Sequence, residues 1–93
     1  MVDKKIIKIR KKLDKLDNLF LNIIKKRTKL VDQVLANKKF KNQIIDKKRI
    51  RVILKNISKK SKIKKIDPKI TNKIWRSMIN AFIDYEYRNF KKK

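Results

Sequence analysis

The chain has 93 residues, enough for one domain with a small apolar core, and a single domain over residues 1–93 is predicted. It contains no Cys and no His, which excludes disulfides, zinc fingers, ligation of haem by these residues and imidazole catalysis. No apolar run reaches the roughly 18 residues of a membrane span. Residues 1–10 lack the apolar core of a signal peptide, so a cytoplasmic protein is expected.

The net charge of +23 is compatible with nucleic-acid binding. However, Lys, Ile and Asn supply 49 of the 93 residues, a bias that fits a coding sequence rich in A and T and makes lysine the default surface residue. Only six of the 31 basic residues are arginines, which proteins that read base edges favour. Specific nucleic-acid binding is therefore not expected, although a small basic helical dimer that binds nucleic acid stays open as an alternative.

The first third of the chain carries an apolar seam with residues spaced alternately by three and four, as in a heptad repeat. Its members are Ile6, Ile9, Leu13, Leu16, Phe20, Ile23, Leu30 and Val34. Arg27 occupies the seam position between Ile23 and Leu30, and a guanidinium in an apolar seam needs an anion nearby. Positions 23, 24, 30 and 31 are not acidic. A bound anion is one explanation, and a register-fixing polar residue or a snorkelling side chain is the other.

This seam predicts a first helix from about Asp3 to about Lys38, roughly 50 Å long at about 1.5 Å per residue. A compact domain of this size is only about 30 Å across, so the seam should pack on another chain. An intertwined homodimer is therefore predicted.

Two further helices follow a loop at residues 40–45. Asp46 is the predicted N-cap of the second helix. The third starts at Asp67-Pro68 and runs to about Phe90. The polar, lysine-rich residues 58–66 are expected to fray. Because no segment alternates as a strand does, the fold is predicted to be all-α, with three helices per chain and a very long first helix.

Further charged residues accompany Arg27. Lys38 lies eleven residues later on nearly the same helix face, and two cations on one seam suggest a pocket for a small, doubly charged acid. Glu86, the only glutamate, falls on the apolar face of the third helix. It is interpreted as a hydrogen-bond donor in this pocket when protonated, or alternatively as the partner of a seam cation. Arg10 and Arg49 also depart from the lysine pattern, although each could be a solvated arginine.

Five elements together resemble the all-helical chorismate mutases, the AroQ class. Residues 9–17 read Ile-Arg-Lys-Lys-Leu-Asp-Lys-Leu-Asp, with Arg10 as the arginine of that motif. The others are the pair Arg27 and Lys38, the pair Asp46 and Arg49, the dipeptide Ile66-Asp67, and Glu86. The resemblance covers residues 6–90, and it also extends to the related isochorismate-pyruvate lyases.

The resemblance implies an interlocked homodimer that converts the dicarboxylate chorismate to prephenate by a Claisen rearrangement, without a metal or cofactor. It implies that Arg27, and Arg10 of the partner chain, bind carboxylates. Lys38 and Glu86 would donate hydrogen bonds to the ether oxygen. Asp46 and Arg49 would border the ring hydroxyl and carboxylate.

Two positions differ from the commonest family pattern and bear on the substrate. Ile50 stands where an acidic residue usually contacts the ring hydroxyl, and Phe82 stands where a small hydroxyl residue is common. An aliphatic residue at position 50 is similar to the isochorismate-pyruvate lyases. Glu86 is less similar to them, since they usually carry Gln there. Chorismate mutase is the first interpretation, and the lyase of the same fold is the alternative.

Overall fold

The computed structural model describes residues 3–91, and residues 1, 2, 92 and 93 lie outside this range. Within it the chain forms three α-helices, α1 (Lys4–Ala36), α2 (Lys47–Ile63) and α3 (Pro68–Asn89), and no strand. A short 3-10 turn, Lys41–Gln43, lies in the predicted loop between α1 and α2. The prediction of an all-α chain with a very long first helix is confirmed. The chain divides into two compact units, Met1–Val31 and Asp32–Lys93.

The first unit is the larger part of α1, and its apolar seam is exposed. The Asp3 carboxylate caps the helix by accepting a hydrogen bond from the Lys5 backbone N–H at 2.9 Å. The exposed fraction of the seam side chains ranges from 44% at Ile6 to 60% at Leu30. The other exposed members in this unit are Ile9, Leu13, Leu16, Phe20 and Ile23. Contiguous exposed apolar stripes are typical of surfaces that pack against a partner.

In the second unit α2 packs against α3. A buried pair of hydroxyls joins the two helices: the Ser61 and Thr71 oxygens lie 2.8 Å apart. Ser61 also donates to the Ile57 carbonyl at 2.6 Å, so the pair is anchored to the backbone of α2. The prediction that residues 58–66 fray is therefore wrong for residues 58–63. A polar residue in that segment is buried and satisfied across the interface, which the lysine-rich sequence around it does not reveal.

The predicted starts of α2 and α3 are confirmed. Asp46 is extended and accepts a hydrogen bond from the Arg49 backbone N–H at 3.0 Å. Asp67 is also extended and accepts from the Lys69 backbone N–H at 2.9 Å, with Pro68 in the first turn. Both carboxylates satisfy N–H groups that have no acceptor within the helix, which is why these short local patterns were sufficient to locate the starts.

The end of α2 places a lysine in the left-handed backbone region. Lys65 has φ of 59°, and the N–H of Ile66 donates to the Ser61 carbonyl at 2.8 Å. This is the hydrogen-bond pattern that glycine usually completes after a helix, because glycine has no Cβ to clash. The chain contains no glycine, so Lys65 carries that conformation at a steric cost.

We expect Lys65→Gly to raise the free energy of unfolding by roughly 1 kcal/mol, because relief of the left-handed strain exceeds the added chain entropy of glycine. Denaturant unfolding at fixed protein concentration measures the change. Lys64→Gly is the matched control, since Lys64 has φ of −83° and no strain to relieve. An equal or larger gain in the control would contradict this explanation.

Candidate active site

Lys38 and Glu86 form an ion pair in the second unit. The Lys38 Nζ lies 2.9 Å from the Glu86 Oε1, and the side chains are only 17% and 9% exposed. The two residues are 48 positions apart, so the contact joins the end of the α1 segment to the late part of α3. The pair matches the alternative interpretation of Glu86 as the partner of a cation, with Lys38 as that cation.

The Lys38 ammonium has a second acceptor, the backbone carbonyl of Ile44, at 3.4 Å. Ile44 itself is buried, with 3% of its surface exposed. An ammonium group carries three N–H donors and no acceptor. The carboxylate and the carbonyl use two of them, so one N–H of Lys38 is available to a ligand.

Lys38 is positioned by the way α1 ends. The last turn closes with short hydrogen bonds, from the Asn37 N–H to the Val34 carbonyl and from the Lys38 N–H to the Leu35 carbonyl, both at 3.0 Å. Such tightened bonds satisfy the last carbonyls of a helix. Leu35 is buried at 8% exposure and fixes this turn. Lys38 therefore lies two residues beyond the last helical position, Ala36, and the prediction that it lies on the same helix face as Arg27 is wrong.

Lys38 and Asp46, two of the predicted site residues, line one open cleft of about 490 Å³. The Asp46 Oδ1 holds the start of α2 by accepting from the Arg49 backbone N–H. The Arg49 side chain is exposed. The other residues that line the cleft are Asn42, Gln43, Ile45 and Lys47. None of these four was singled out in the sequence, because polar loop residues carry no periodic signal.

Ile50 and Phe82 are both half-buried. Phe82 lies one turn before Glu86 on α3, and its ring meets that of Tyr85 edge-on, with centroids 6.4 Å apart at 82°. The contact with Tyr85 orients the Phe82 ring, and the assignment of Ile50 and Phe82 to the site stays a prediction.

Arg10 and Arg27 belong to the first unit. Arg10 is exposed, whereas Arg27 is half-buried although its seam neighbours Ile23 and Leu30 are exposed. The two arginines are seventeen residues apart on one helix and differ by roughly 100° around its axis. That Arg10 of the partner chain reaches the pocket of Arg27 stays a prediction.

A second long-range contact of the second unit was not predicted. The Tyr85 hydroxyl donates to the Asp32 Oδ1 at 2.7 Å and so ties α3 to the end of α1, next to Glu86. The hydrogen bond to Asp32 raises the pKa of the Tyr85 phenol above its usual 10.0, and burial and the Asp32 charge add to this effect while Arg88 opposes it. No spacing rule connects positions 53 residues apart, so only the fold reveals the pair.

Within residues 3–91, no three acidic side chains lie close enough together to hold a metal ion. In the same range, no helix combines the length and apolarity that crossing a bilayer requires.

Comparison with known proteins gives one family match. The sequence profile of the family described as chorismate mutase type II matches residues 9–87. No curated protein and no solved structure gave a significant match.

The Tyr85–Asp32 contact predicts a pH dependence. Because the folded phenol has a raised pKa, its contribution to stability is present below the unfolded pKa of about 10 and is lost as pH rises through the folded value. Titration of tyrosine absorbance should therefore show a component above pH 10 that disappears in Tyr85→Phe. In Asp32→Ala this component should move back towards 10, and an unchanged titration would contradict the contact.

Proposed function

Because the chain belongs to the chorismate mutase type II family, we propose that it rearranges chorismate to prephenate. The observation that carries the proposal is the Lys38 ammonium, held by Glu86 and Ile44 with one N–H left to donate. It lies at the cleft that Asp46 also lines. A half-buried cation that is held in this way is suited to an oxygen that gains negative charge in a transition state.

The rearrangement is intramolecular and needs no nucleophile from the protein. The enzyme has to hold the dicarboxylate in its compact conformer and stabilise the charge that develops on the ether oxygen. A chain without Cys or His can perform both tasks with arginines, a lysine and a carboxyl group. Arginine suits the first task because its planar guanidinium binds a carboxylate through two parallel hydrogen bonds.

In the proposed complex, Lys38 donates its remaining N–H to the ether oxygen and Arg27 binds a carboxylate. A protonated Glu86 supplies a second donor to the same oxygen. Asp46 and Arg49 border the ring hydroxyl and carboxylate, with Ile50 and Phe82 forming the apolar part of the wall.

We further propose that the active form is an intertwined homodimer in which Arg10 reaches the site of the partner chain. Two facts support this. The seam of α1 is about half exposed, and the only buried apolar side chains among residues 3–91 are Leu35 and Ile44. A chain with so small a core gains stability by covering the seam with a second copy. Residues 1–93 would then act as a single domain per chain, and the cytoplasmic location stays a prediction.

The isochorismate-pyruvate lyase is the second candidate, and Ile50 is the residue that favours it. A direct assay separates the two enzymes. When purified protein is mixed with chorismate, the absorbance of chorismate should fall as prephenate forms. When the same protein is mixed with isochorismate, no pyruvate should be released. Pyruvate release from isochorismate without loss of chorismate would establish the lyase. If neither substrate reacts, the nucleic-acid-binding alternative gains support.

Removal of the cations that are proposed to bind the substrate should lower turnover. Arg10→Ala, Arg27→Ala and Lys38→Ala should each cost roughly 2 to 5 kcal/mol of transition-state stabilisation, measured as the fall in kcat/KM. Lys11→Ala and Lys59→Ala are matched controls at exposed lysines, and they should leave kcat/KM nearly unchanged. Full activity of Arg27→Ala would place the pocket elsewhere.

Mixed dimers test the exchange of Arg10 between chains. An Arg10→Ala chain combined with an Arg27→Ala chain should regain one intact site of the two in each heterodimer. No recovery in the mixture would mean that Arg10 and Arg27 act within the same chain.

The proposed role of Glu86 is tested by two substitutions. The proposed donor to the ether oxygen is its carboxyl group in the protonated form, and the amide of a glutamine is also a donor. Glu86→Gln should therefore keep most of the wild-type turnover, while Glu86→Ala should lose most of it. Equal losses in the two variants would mean that turnover depends on the charge paired with Lys38 and not on a hydrogen bond donated by residue 86.

A further inference from the structure

Lys38 lies in the loop between α1 and α2, not within a helix. Loops are usually the more mobile parts of a fold, and a lysine side chain has four rotatable bonds. An ammonium that acts on a developing charge must nevertheless be held in place before the reaction. The loop therefore needs contacts of its own that hold Lys38 near Glu86.

Gln43 supplies those contacts. Its Oε1 accepts hydrogen bonds from two successive backbone N–H groups, that of Lys39 at 2.7 Å and that of Phe40 at 2.9 Å. The Gln43 N–H in turn donates to the Phe40 carbonyl at 3.1 Å. Gln43 thus closes residues 39–43 of the loop into a turn through its side chain and its backbone.

The residues on either side of this closure are the ones that form the ion-pair site. Lys39 directly follows Lys38, and Ile44 directly follows Gln43. Closure by Gln43 therefore fixes both the Lys38 backbone and the Ile44 carbonyl that accepts from the Lys38 Nζ. Gln43 also lines the cleft beside Lys38, although its Oε1 is already occupied by the loop.

We infer that Gln43 is a positioning residue, which closes the loop through its Oε1 so that the Lys38 ammonium is held for catalysis. The inference rests on the proposed function, since it assigns Gln43 an effect on turnover through Lys38. Misplacement of a catalytic group by about 1 Å can lower a rate by roughly a hundredfold. We expect a loss of about tenfold in kcat when the closure is removed, because the Glu86 contact with Lys38 would remain.

The test compares two substitutions at position 43 with a control at position 56. Gln43→Leu removes the acceptor, while Gln43→Glu keeps an oxygen that can accept from both N–H groups. Asn56→Leu makes a similar change from amide to aliphatic at an exposed residue of α2 that does not line the cleft. Turnover is compared at saturating chorismate, because the added charge of Gln43→Glu can weaken binding of a dianion without affecting kcat.

Gln43→Leu should lower kcat about tenfold, while Gln43→Glu and Asn56→Leu should stay within about twofold of the wild type. Hydrogen exchange of the Lys39 and Phe40 amides should speed up in Gln43→Leu alone. If Gln43→Leu loses amide protection or thermal stability but keeps its kcat, the closure is only structural and the inference is wrong. An equal loss of kcat in Gln43→Glu would also overturn it, because the amide nitrogen would then be the group required.

The wild type serves as the reference that separates this inference from the proposed function. A wild type that leaves chorismate unchanged contradicts the proposed function, and the catalytic role of Gln43 with it. An active wild type with an unaffected Gln43→Leu variant contradicts the role of Gln43 alone.

Discussion

The constraint on which the rest of the molecule depends is that one chain does not bury the apolar seam of α1. Side chains such as Leu13 and Leu16 keep more than half of their surface exposed, and only Leu35 and Ile44 are buried apolar residues in the described chain. Each apolar side chain that moves from water to a packed interior contributes roughly 1.5 to 3 kcal/mol. A second copy that covers the seam would supply this stabilisation, and it would give Arg10 a site to act in.

The ion pair of Lys38 and Glu86 is the second determining interaction. A buried charge is costly unless it is paired and hydrogen-bonded, and here the carboxylate and the Ile44 carbonyl satisfy the ammonium only in part. One N–H of the Lys38 ammonium remains for a ligand, and the proposed function uses it as a donor to the ether oxygen. The proposed chemistry requires such a donor together with cations that hold the carboxylates of the substrate, because the substrate rearranges without a covalent bond to the protein.

Local patterns in the sequence were sufficient to predict the helices. Asp46 and Asp67 satisfy N–H groups within their own first turns, so a few residues determine each start. The seam of α1 could also be predicted, because its spacing repeats along one helix. The left-handed conformation of Lys65 could not be predicted, because a glycine is the usual sequence signal for it and the chain has none.

The candidate site could be predicted only in part, because its contacts join residues that are far apart in the sequence. Lys38 and Glu86 stood out as misplaced charges, but that they pair with each other follows from the packing of α3 beside the end of α1. The Ser61–Thr71 and Tyr85–Asp32 contacts join polar residues that look ordinary in the sequence. Gln43 is a polar loop residue without any periodic signal, and only its two short hydrogen bonds reveal its place in the loop.

The central claim is that the second chain completes both the core and the site, and dilution tests it most directly. Sedimentation and chorismate turnover can be measured on the same samples over a range of concentrations. The account predicts a species of twice the 11.3 kDa chain mass, with turnover per chain falling as dilution separates the chains. A folded monomer of 11.3 kDa that keeps its full turnover on dilution would contradict it.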